Sequence, residues 1–214
     1  MPLLLIDLDN TLVDRDAAFR EAASRFLTRH ALPATELDWL TTLDGSGCTP
    51  REDVARAVVE RYALPEGPVR RLLDEGVAEH VTLAGATRRA LVDARAHGWT
   101  CVIVTNGRVA QQERKIRGTG LDRLVHAWVV SEAVGHKKPA PEIFEAAAAA
   151  AGASLCGAWV IGDSPHADIQ GAIGIDARSV WVSGGRVWGE AGYRPTRVAP
   201  DAATAVRVGV REGR

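Results

Sequence analysis

The sequence is short of cysteine, of lysine and of net charge. Its three cysteines, Cys48, Cys101 and Cys156, are odd in number and far apart. They form no metal-binding spacing and favour a reducing compartment over a disulfide framework. With a net charge of −1, the chain lacks the basic excess of proteins that bind nucleic acid or an anionic membrane. We therefore expect no cysteine metal site and no nucleic acid polymer as a partner.

Long hydrophobic runs are also missing. No uninterrupted apolar stretch approaches membrane-spanning length, and the first residues lack the basic region and apolar length of a signal peptide. Hydrophobic residues still make up 46% of the 214 residues, which is enough to bury a core. We expect a cytoplasmic globular protein with no membrane partner, either a monomer or a homodimer.

What the sequence does contain begins with a short apolar run, Leu3–Ile6, that leads into Asp7 and Asp9. Such a run predicts a buried strand, and residues two apart leave a strand on the same face. In an open parallel sheet, that end of the strand is where ligands bind. Two carboxylates side by side require a cation, a shared proton or both. A solvated turn can carry the same pattern, so the later strands decide between the two interpretations.

Residues 14–82 show helical periodicity only. The apolar spacing predicts four helices, over about 15–30, 35–43, 50–62 and 66–79, with no strand between them. We expect this block to form a mobile, all-helical cap domain, hinged near residues 13–14 and 83–85.

From residue 85 onward, helices and strands alternate. Strands are predicted over about 100–104, 127–130, 159–161 and 179–182, and helices over about 85–97, 108–118, 141–151 and 166–173. The tail after residue 183 is glycine-rich and then weakly helical from about residue 201. This alternation predicts an α/β fold: a Rossmann-like open parallel sheet with helices on both faces. Residues 1–13 and 83–214 would form this core domain.

Polar groups of complementary types follow the predicted strands. Carboxylates suit a hard, octahedral cation such as Mg²⁺, whereas a hydroxyl, backbone amides and an ammonium suit a phosphoryl group. Together they predict a Mg²⁺-dependent site for phosphoryl transfer. The groups are Asp7 and Asp9 after the first strand, Thr105, Asn106 and Gly107 after the second, Lys138 before Pro139 in a loop, and Asp163 and Asp168 after the fourth.

In this order and spacing, the motifs resemble those of the haloacid dehalogenase-like (HAD) hydrolase superfamily. The resemblance covers about residues 1–13 and 81–182, and it places residues 14–82 where that family inserts a helical cap after the first strand. The motifs are D-L-D-N-T from Asp7, T-N-G from Thr105, K-P from Lys138 and G-D-S-x-x-x-D-x-x-G-A from Gly162.

The resemblance implies a role for each acid. Asp7 would be the nucleophile that forms an aspartyl-phosphate, and Asp9 would be the general acid and base. Mg²⁺ would bind the Asp7 carboxylate, the Asp9 backbone carbonyl and Asp163. Asp168 would lie in or near the outer coordination shell.

The resemblance also implies how a phosphoryl group would be held. Thr105 and the Asn106 amide would bind its oxygens, and Gly107 would leave backbone N–H groups open to a ligand. Lys138 would neutralise the charge of the phosphoryl group and of Asp7.

The expected function is hydrolysis of a small phosphorylated metabolite; sugar phosphates, phosphoglycolate and nucleoside monophosphates all fit. A phosphomutase or other phosphotransferase stays open, as does a non-catalytic binding module on the same fold. A dehalogenase would have no use for Mg²⁺ or for an acid at position 9. The resemblance implies that a phosphonate hydrolase would require a lysine in the cap, and residues 14–82 contain none.

Overall fold

The computed structural model describes residues 1–213 and divides the chain into two compact units. One unit, the core unit, combines Met1–Val13 with the chain from Leu83 onward. The other, the helical unit, is Asp14–Thr82. That the helical unit acts as a mobile cap stays a prediction.

The core unit is built on a six-stranded sheet in the order β3-β2-β1-β4-β5-β6, with every neighbouring pair parallel. This is the strand order of a Rossmann fold, so the predicted fold class is confirmed. The central strand is wholly buried, as its uninterrupted apolar sequence requires. The strands are β1 (Leu3–Ile6), β2 (Thr100–Thr105), β3 (Ala127–Val130), β4 (Trp159–Gly162), β5 (Arg178–Val182) and β6 (Arg197–Ala199).

The strand order creates a switch point between β1 and β4. The chain builds outward from β1 through β2 to β3, and then crosses to place β4 on the other side of β1. Ile6 at the end of β1 pairs with Ile161 of β4. The residues that follow these two strands therefore emerge side by side, where open α/β sheets bind ligands.

Helices cover both faces of the sheet. On one face, Leu3 and Leu5 of β1 pack in a buried cluster that includes Phe144 from the alanine-rich α9. On the other face, a Cβ at Gly209 of α11 would lie 3.1 Å from the Leu4 side chain, so α11 approaches the sheet closely. The helices of the core unit are α6 (Gly85–Ala96), α7 (Val109–Thr119), α8 (Ser131–Val134), α9 (Pro141–Ala150), α10 (Gly171–Gly174) and α11 (Ala202–Glu212).

The helical unit has its own apolar core and a buried ion pair. Arg15 and Asp44 are both buried, and Arg15 Nη2 lies 2.6 Å from Asp44 Oδ1. Asp44 also accepts from the Gly47 N–H at 3.0 Å, which holds the turn after α2. The helices are α1 (Arg15–Arg29), α2 (Leu37–Asp44), α3 (Arg51–Tyr62), α4 (Glu66–Arg71) and α5 (Val77–His80).

Several elements differ from the sequence-based expectation. The helix expected over about 166–173 is a π-helical stretch, Pro165–Gln170, followed by the short α10, and α8 was not predicted. The helix expected over about 66–79 is divided into α4 and α5 by a π-helical stretch, Leu72–Gly76. The tail contains β6, which the sequence analysis missed. This strand has three residues, of which only Ala199 is buried, so an edge strand of this kind leaves no apolar pattern to detect. Within residues 1–213, no helix is both long and apolar enough to cross a membrane.

Candidate active site

Asp7 begins where β1 ends. Its N–H donates to the Ile161 carbonyl of β4 at 2.9 Å, so the backbone stays tied to the neighbouring strand. Asn10 then adopts a positive φ of 56°, a conformation that asparagine tolerates better than most residues. The chain turns back here, and the Val13 N–H donates to the Leu8 carbonyl at 3.1 Å. This turn holds Asp7 at the switch point.

Asp163 and Asp168 follow β4, and the glycine before them makes their arrangement possible. A Cβ at Gly162 would lie 2.1 Å from Asp168 Cγ, a distance that no side chain could occupy. The Asp168 carboxylate folds back and accepts from the Ser164 N–H at 3.0 Å. The same segment requires a second glycine at Gly171, where a Cβ would lie 2.7 Å from the Phe144 ring. The spacing of this motif is therefore set by close packing.

Lys138 links Asp7, which follows β1, to Asp168, which follows β4. Its Nζ lies 2.6 Å from Asp7 Oδ1 and 2.7 Å from Asp168 Oδ1, and the residue is 6% exposed. Asn106 brackets the backbone of Lys138: its Oδ1 accepts from the Lys138 N–H at 2.9 Å, and its Nδ2 donates to the Lys138 carbonyl at 3.1 Å. The turn after β2 thus positions the lysine that pairs with the nucleophile candidate.

The turn after β2 differs in one respect from the expectation. The backbone N–H groups at Gly107 were expected to be open to a ligand, and one of them, the N–H of Gly107 itself, donates to Ser131 Oγ at 3.0 Å. This donor is engaged within the protein because α8 begins beside the turn. The Thr105 hydroxyl is buried and lies 2.6 Å from Gln112 Nε2. The side chain of Asn106 is committed to Lys138, as described above.

Asp7, Asp163 and Asp168 converge into an acidic cluster. One carboxylate oxygen from each lies within 4.8 Å of the others. An all-oxygen set of this kind suits a hard divalent cation. Oδ1 of Asp168 already accepts from Lys138, and Oδ2 accepts from the Ser164 N–H. Asp7 and Asp163 are therefore better placed than Asp168 to contact an ion directly.

Burial and the proximity of charged neighbours shift the pKa of Asp7 and of Asp163. Burial, opposed by the Lys138 ammonium and reinforced by the Asp168 and Asp163 carboxylates, raises the pKa of Asp7 to about 8. Burial and Asp168 raise the pKa of Asp163 to about 6, opposed by Arg186. Burial works to lower the pKa of Lys138, but Asp168 and Asp7 outweigh it and hold that pKa above its ordinary range. Lys138 therefore stays positively charged, and the carboxyl groups around it outnumber it.

The carboxylate of Asp9 lies outside this cluster and has partners of its own. Lys115 Nζ lies 2.8 Å from its Oδ1 and 2.7 Å from its Oδ2, and Gln112 Nε2 lies 2.9 Å from its Oδ2. The sequence analysis did not identify Gln112 or Lys115. One signal was present, because the chain has only three lysines and Lys115 is one of them.

Two further residues, whose contacts were not predicted from the sequence, hold Asp163 in place. Trp181 Nε1 donates to the Asp163 carbonyl at 2.8 Å. Arg186 Nη2 donates to the same carbonyl at 3.0 Å and to Asp163 Oδ2 at 3.1 Å. Trp181 lies on β5, where the sequence predicted a core or sheet-covering residue, and Arg186 lies in the glycine-rich segment after it, for which no role was predicted. They orient Asp163 at the edge of the cluster.

Comparisons with known proteins agree with this fold. Residues 4–182 match the family described as haloacid dehalogenase-like hydrolase. The chain is 31% identical over 202 residues to glyceraldehyde 3-phosphate phosphatase of Pyrococcus abyssi, covering 86% of this chain and 82% of that protein. It is 34% identical over 119 residues to phosphoserine phosphatase of Thermus thermophilus, covering 56% of this chain and 44% of that protein.

A solved structure supports the fold. The chain superimposes with a TM-score of 0.74 on YfnB of Bacillus subtilis, a structure bound to magnesium, at 23% identity and over 97% of both chains. The family match over residues 4–182, together with the acids at the switch point, defines the chain as a hydrolase. The chain belongs to the haloacid dehalogenase-like hydrolase family, and the predicted family is confirmed.

Proposed function

We propose that the chain is a Mg²⁺-dependent phosphatase that hydrolyses a small phosphorylated metabolite through an aspartyl-phosphate on Asp7. The phosphatase class itself is the one predicted from the sequence, and the relatives named as phosphatases confirm it. The observation that carries the mechanism is the convergence of Asp7, Asp163 and Asp168 around Lys138.

Charge balance supports a divalent cation. Three carboxylates converge, and the buried ammonium of Lys138 supplies one opposing charge. A bound Mg²⁺ would supply the missing positive charge for the carboxylates and the phosphoryl oxygens. We propose that Asp7, Asp163 and the Asp9 backbone carbonyl hold the ion. Asp168 would support the site by fixing Lys138 and the backbone at Ser164.

The side chains then divide the reaction between them. Lys138 fixes one oxygen of Asp7, and the Asp7 carboxylate attacks phosphorus while the bond to the leaving oxygen breaks. Asp9 gives a proton to that oxygen, and later removes one from the water that hydrolyses the aspartyl-phosphate. The Thr105 hydroxyl and the Asn106 backbone amide would bind the phosphoryl oxygens.

The relatives suggest the substrate class. Glyceraldehyde 3-phosphate and phosphoserine, which their names specify, are both monoesters on a three-carbon skeleton. We propose a small phosphomonoester of this kind and regard a phosphomutase or a binding module as the alternatives. The cytoplasmic location and the choice between monomer and homodimer stay predictions.

A metabolite panel tests the proposal. Phosphate release should require Mg²⁺, stop with excess chelator and disappear in Asp7→Asn. Asp9→Asn should slow phosphoenzyme formation severely with an alkyl phosphate, by about 10²–10⁴-fold, because a basic leaving oxygen needs the proton. It should slow that step much less with p-nitrophenyl phosphate.

Rapid-quench mass spectrometry locates the phosphoryl group. It should lie on Asp7, and it should accumulate in Asp9→Asn with the aryl ester, because the second step lacks its base. Full activity in chelator, or phosphate on Asp9, would contradict the assignment. Transfer to a second metabolite without release of phosphate would favour the phosphomutase.

A further inference from the structure

Helix α7 carries two polar side chains on its buried face. Gln112 and Lys115 are three residues apart, so they lie on the same side of the helix. They are 2% and 5% exposed. Lysine is rarely buried to this extent without a partner, because its ammonium must be compensated. Both side chains contact Asp9.

Together they fix the orientation of the Asp9 carboxylate. The ammonium of Lys115 lies within 2.8 Å of both carboxylate oxygens, and Gln112 Nε2 lies 2.9 Å from Oδ2. Rotation of the carboxylate about its Cβ–Cγ bond would break at least one of these contacts. The Asp9 side chain nevertheless remains 27% exposed. It is therefore held firmly from one side and reachable from the other.

Gln112 also links Asp9 to the turn after β2. The same Nε2 lies 2.6 Å from Thr105 Oγ1. A Cβ at Gly107, where φ is 151°, would lie 3.1 Å from the Gln112 side chain, so the turn packs directly on it. One side chain thus fixes the distance between Asp9 and Thr105.

We propose that Gln112 and Lys115 form a clamp that positions Asp9 for proton transfer to the leaving oxygen. The inference rests on the proposed role of Asp9 as general acid. Neither clamp residue touches the reacting atoms; both are positioning residues that act through Asp9. Gln112 and Lys115 both contact Oδ2 of Asp9, so the proton to be transferred is carried on Oδ1, directed toward the leaving oxygen of a phosphoryl group bound beside Thr105. When that proton moves to the leaving oxygen, the Lys115 ammonium stabilises the carboxylate that remains. The clamp therefore acts by placement, on which proton transfer depends steeply.

The test uses Lys115→Met, which keeps most of the length of the side chain and removes its charge. Phosphoenzyme formation is measured by rapid quench with p-nitrophenyl phosphate and with the best alkyl phosphate of the panel. The alkyl ester should react about 10²-fold more slowly, and the aryl ester much less so. Lys115→Arg should recover most of the alkyl rate, because a guanidinium can bond both carboxylate oxygens. A general loss of structure would slow both esters alike.

Arg117→Met is the matched control on the same helix. The side chain of Arg117 is 62% exposed and pairs with Glu113, so its removal should leave both rates unchanged. Calorimetry on each variant checks that it folds. Should Lys115→Met fail to fold, Lys115→Gln removes the charge, leaves Gln112 on Thr105 and should show the same selective loss with the alkyl ester.

A double mutant separates this inference from the proposed function. In an Asp9→Asn background, Lys115→Met should cause little further loss, because there is no general acid left to position. An equal effect of Asp9→Asn on both esters would contradict the role of Asp9 itself. A selective effect of Asp9→Asn combined with a fully multiplicative loss from Lys115→Met would overturn the clamp alone.

Discussion

At the residue scale, Lys138 lies between the carboxylates of Asp7 and Asp168, and the carboxylate of Asp163 is close by. The single positive charge of Lys138 cannot neutralise all three. Burial first, and then the neighbouring carboxylates, raise the pKa of Asp7 to about 8 and that of Asp163 to about 6. Both acids bind protons more tightly in the folded chain than in an unfolded one. The metal-free protein should therefore be most stable, as far as these groups are concerned, near and below pH 4. It should lose that stability as pH rises through 6 and then 8.

Calorimetry with and without Mg²⁺ tests this dependence. In chelator, Tm should fall between pH 5.5 and pH 8.5, and Mg²⁺ should raise Tm more at pH 8.5, where it displaces fewer protons. Asp163→Asn serves as the control for the other titrating groups. The Tm of this variant should fall less between pH 5 and pH 7, because the group with a pKa of about 6 has been removed. A Mg²⁺-induced shift equal at the two pH values would contradict the charge assignment.

Single residues also show how far sequence reasoning reaches. Asp7, Asp163 and Lys138 were predicted because each follows a strand or stands in a fixed motif. Gln112 and Lys115 were missed because their importance depends on which face of α7 is buried, and few apolar residues mark that face. Arg186 was missed because a glycine-rich segment has no periodicity from which its direction could be inferred.

At the scale of elements, the segment after β4 is fixed by close packing rather than by propensity. Asp168 is 1% exposed and is held by Lys138 and by the Ser164 N–H. It therefore has no room to move away from a new atom at Gly162. The π-helical stretch Pro165–Gln170 follows directly, with the Ser164 side chain accepting from the Ala167 N–H. This geometry explains why a strand and a short helix meet at a glycine.

Gly162→Ala should displace Asp168 and so disturb Lys138. Since the added Cβ would lie 2.1 Å from Asp168 Cγ, we expect a loss of about 1–3 kcal/mol in the free energy of unfolding and a severe loss of phosphatase activity. Gly174→Ala is the matched control, because a Cβ there has nothing within 4 Å. Denaturant unfolding and phosphate release measure both effects. A Gly162→Ala variant with wild-type stability and turnover would show that the segment can relax.

Helices and strands were predicted well where burial imposes a regular spacing of apolar residues. The strands β1 to β5 and most helices follow from apolar spacing, because their residues face a core on one side or both. The division between α4 and α5 was not predicted, since Leu72–Gly76 keeps helical spacing while its hydrogen bonds change. Local periodicity specifies that a helix forms, but it does not specify the bonding within it.

At the scale of the whole molecule, the residues of the candidate site belong to one unit. All of them lie in Met1–Val13 or in the chain from Leu83 onward, namely Asp7, Asp9, Asp163, Lys115 and Lys138. Strand β1 pairs with β2 and β4, so the short segment before the helical unit is anchored by the sheet. The core unit thus contains the groups proposed for metal binding and chemistry, and we propose that the helical unit selects the substrate.

Replacing residues 14–82 by a flexible linker of glycine and serine separates these tasks. The shortened chain should unfold cooperatively and keep the Mg²⁺-induced rise in Tm, because the acidic cluster is complete within the core unit. Its kcat/KM values across the metabolite panel should converge, with the preference for the best ester falling about tenfold or more, because specificity comes from contacts that differ between substrates. Asp7→Asn in the shortened chain should abolish the remaining turnover, which would place that turnover at the same site. An unchanged ranking of substrates would remove the helical unit from specificity, and a chain that no longer folds would mean that this unit belongs to the core.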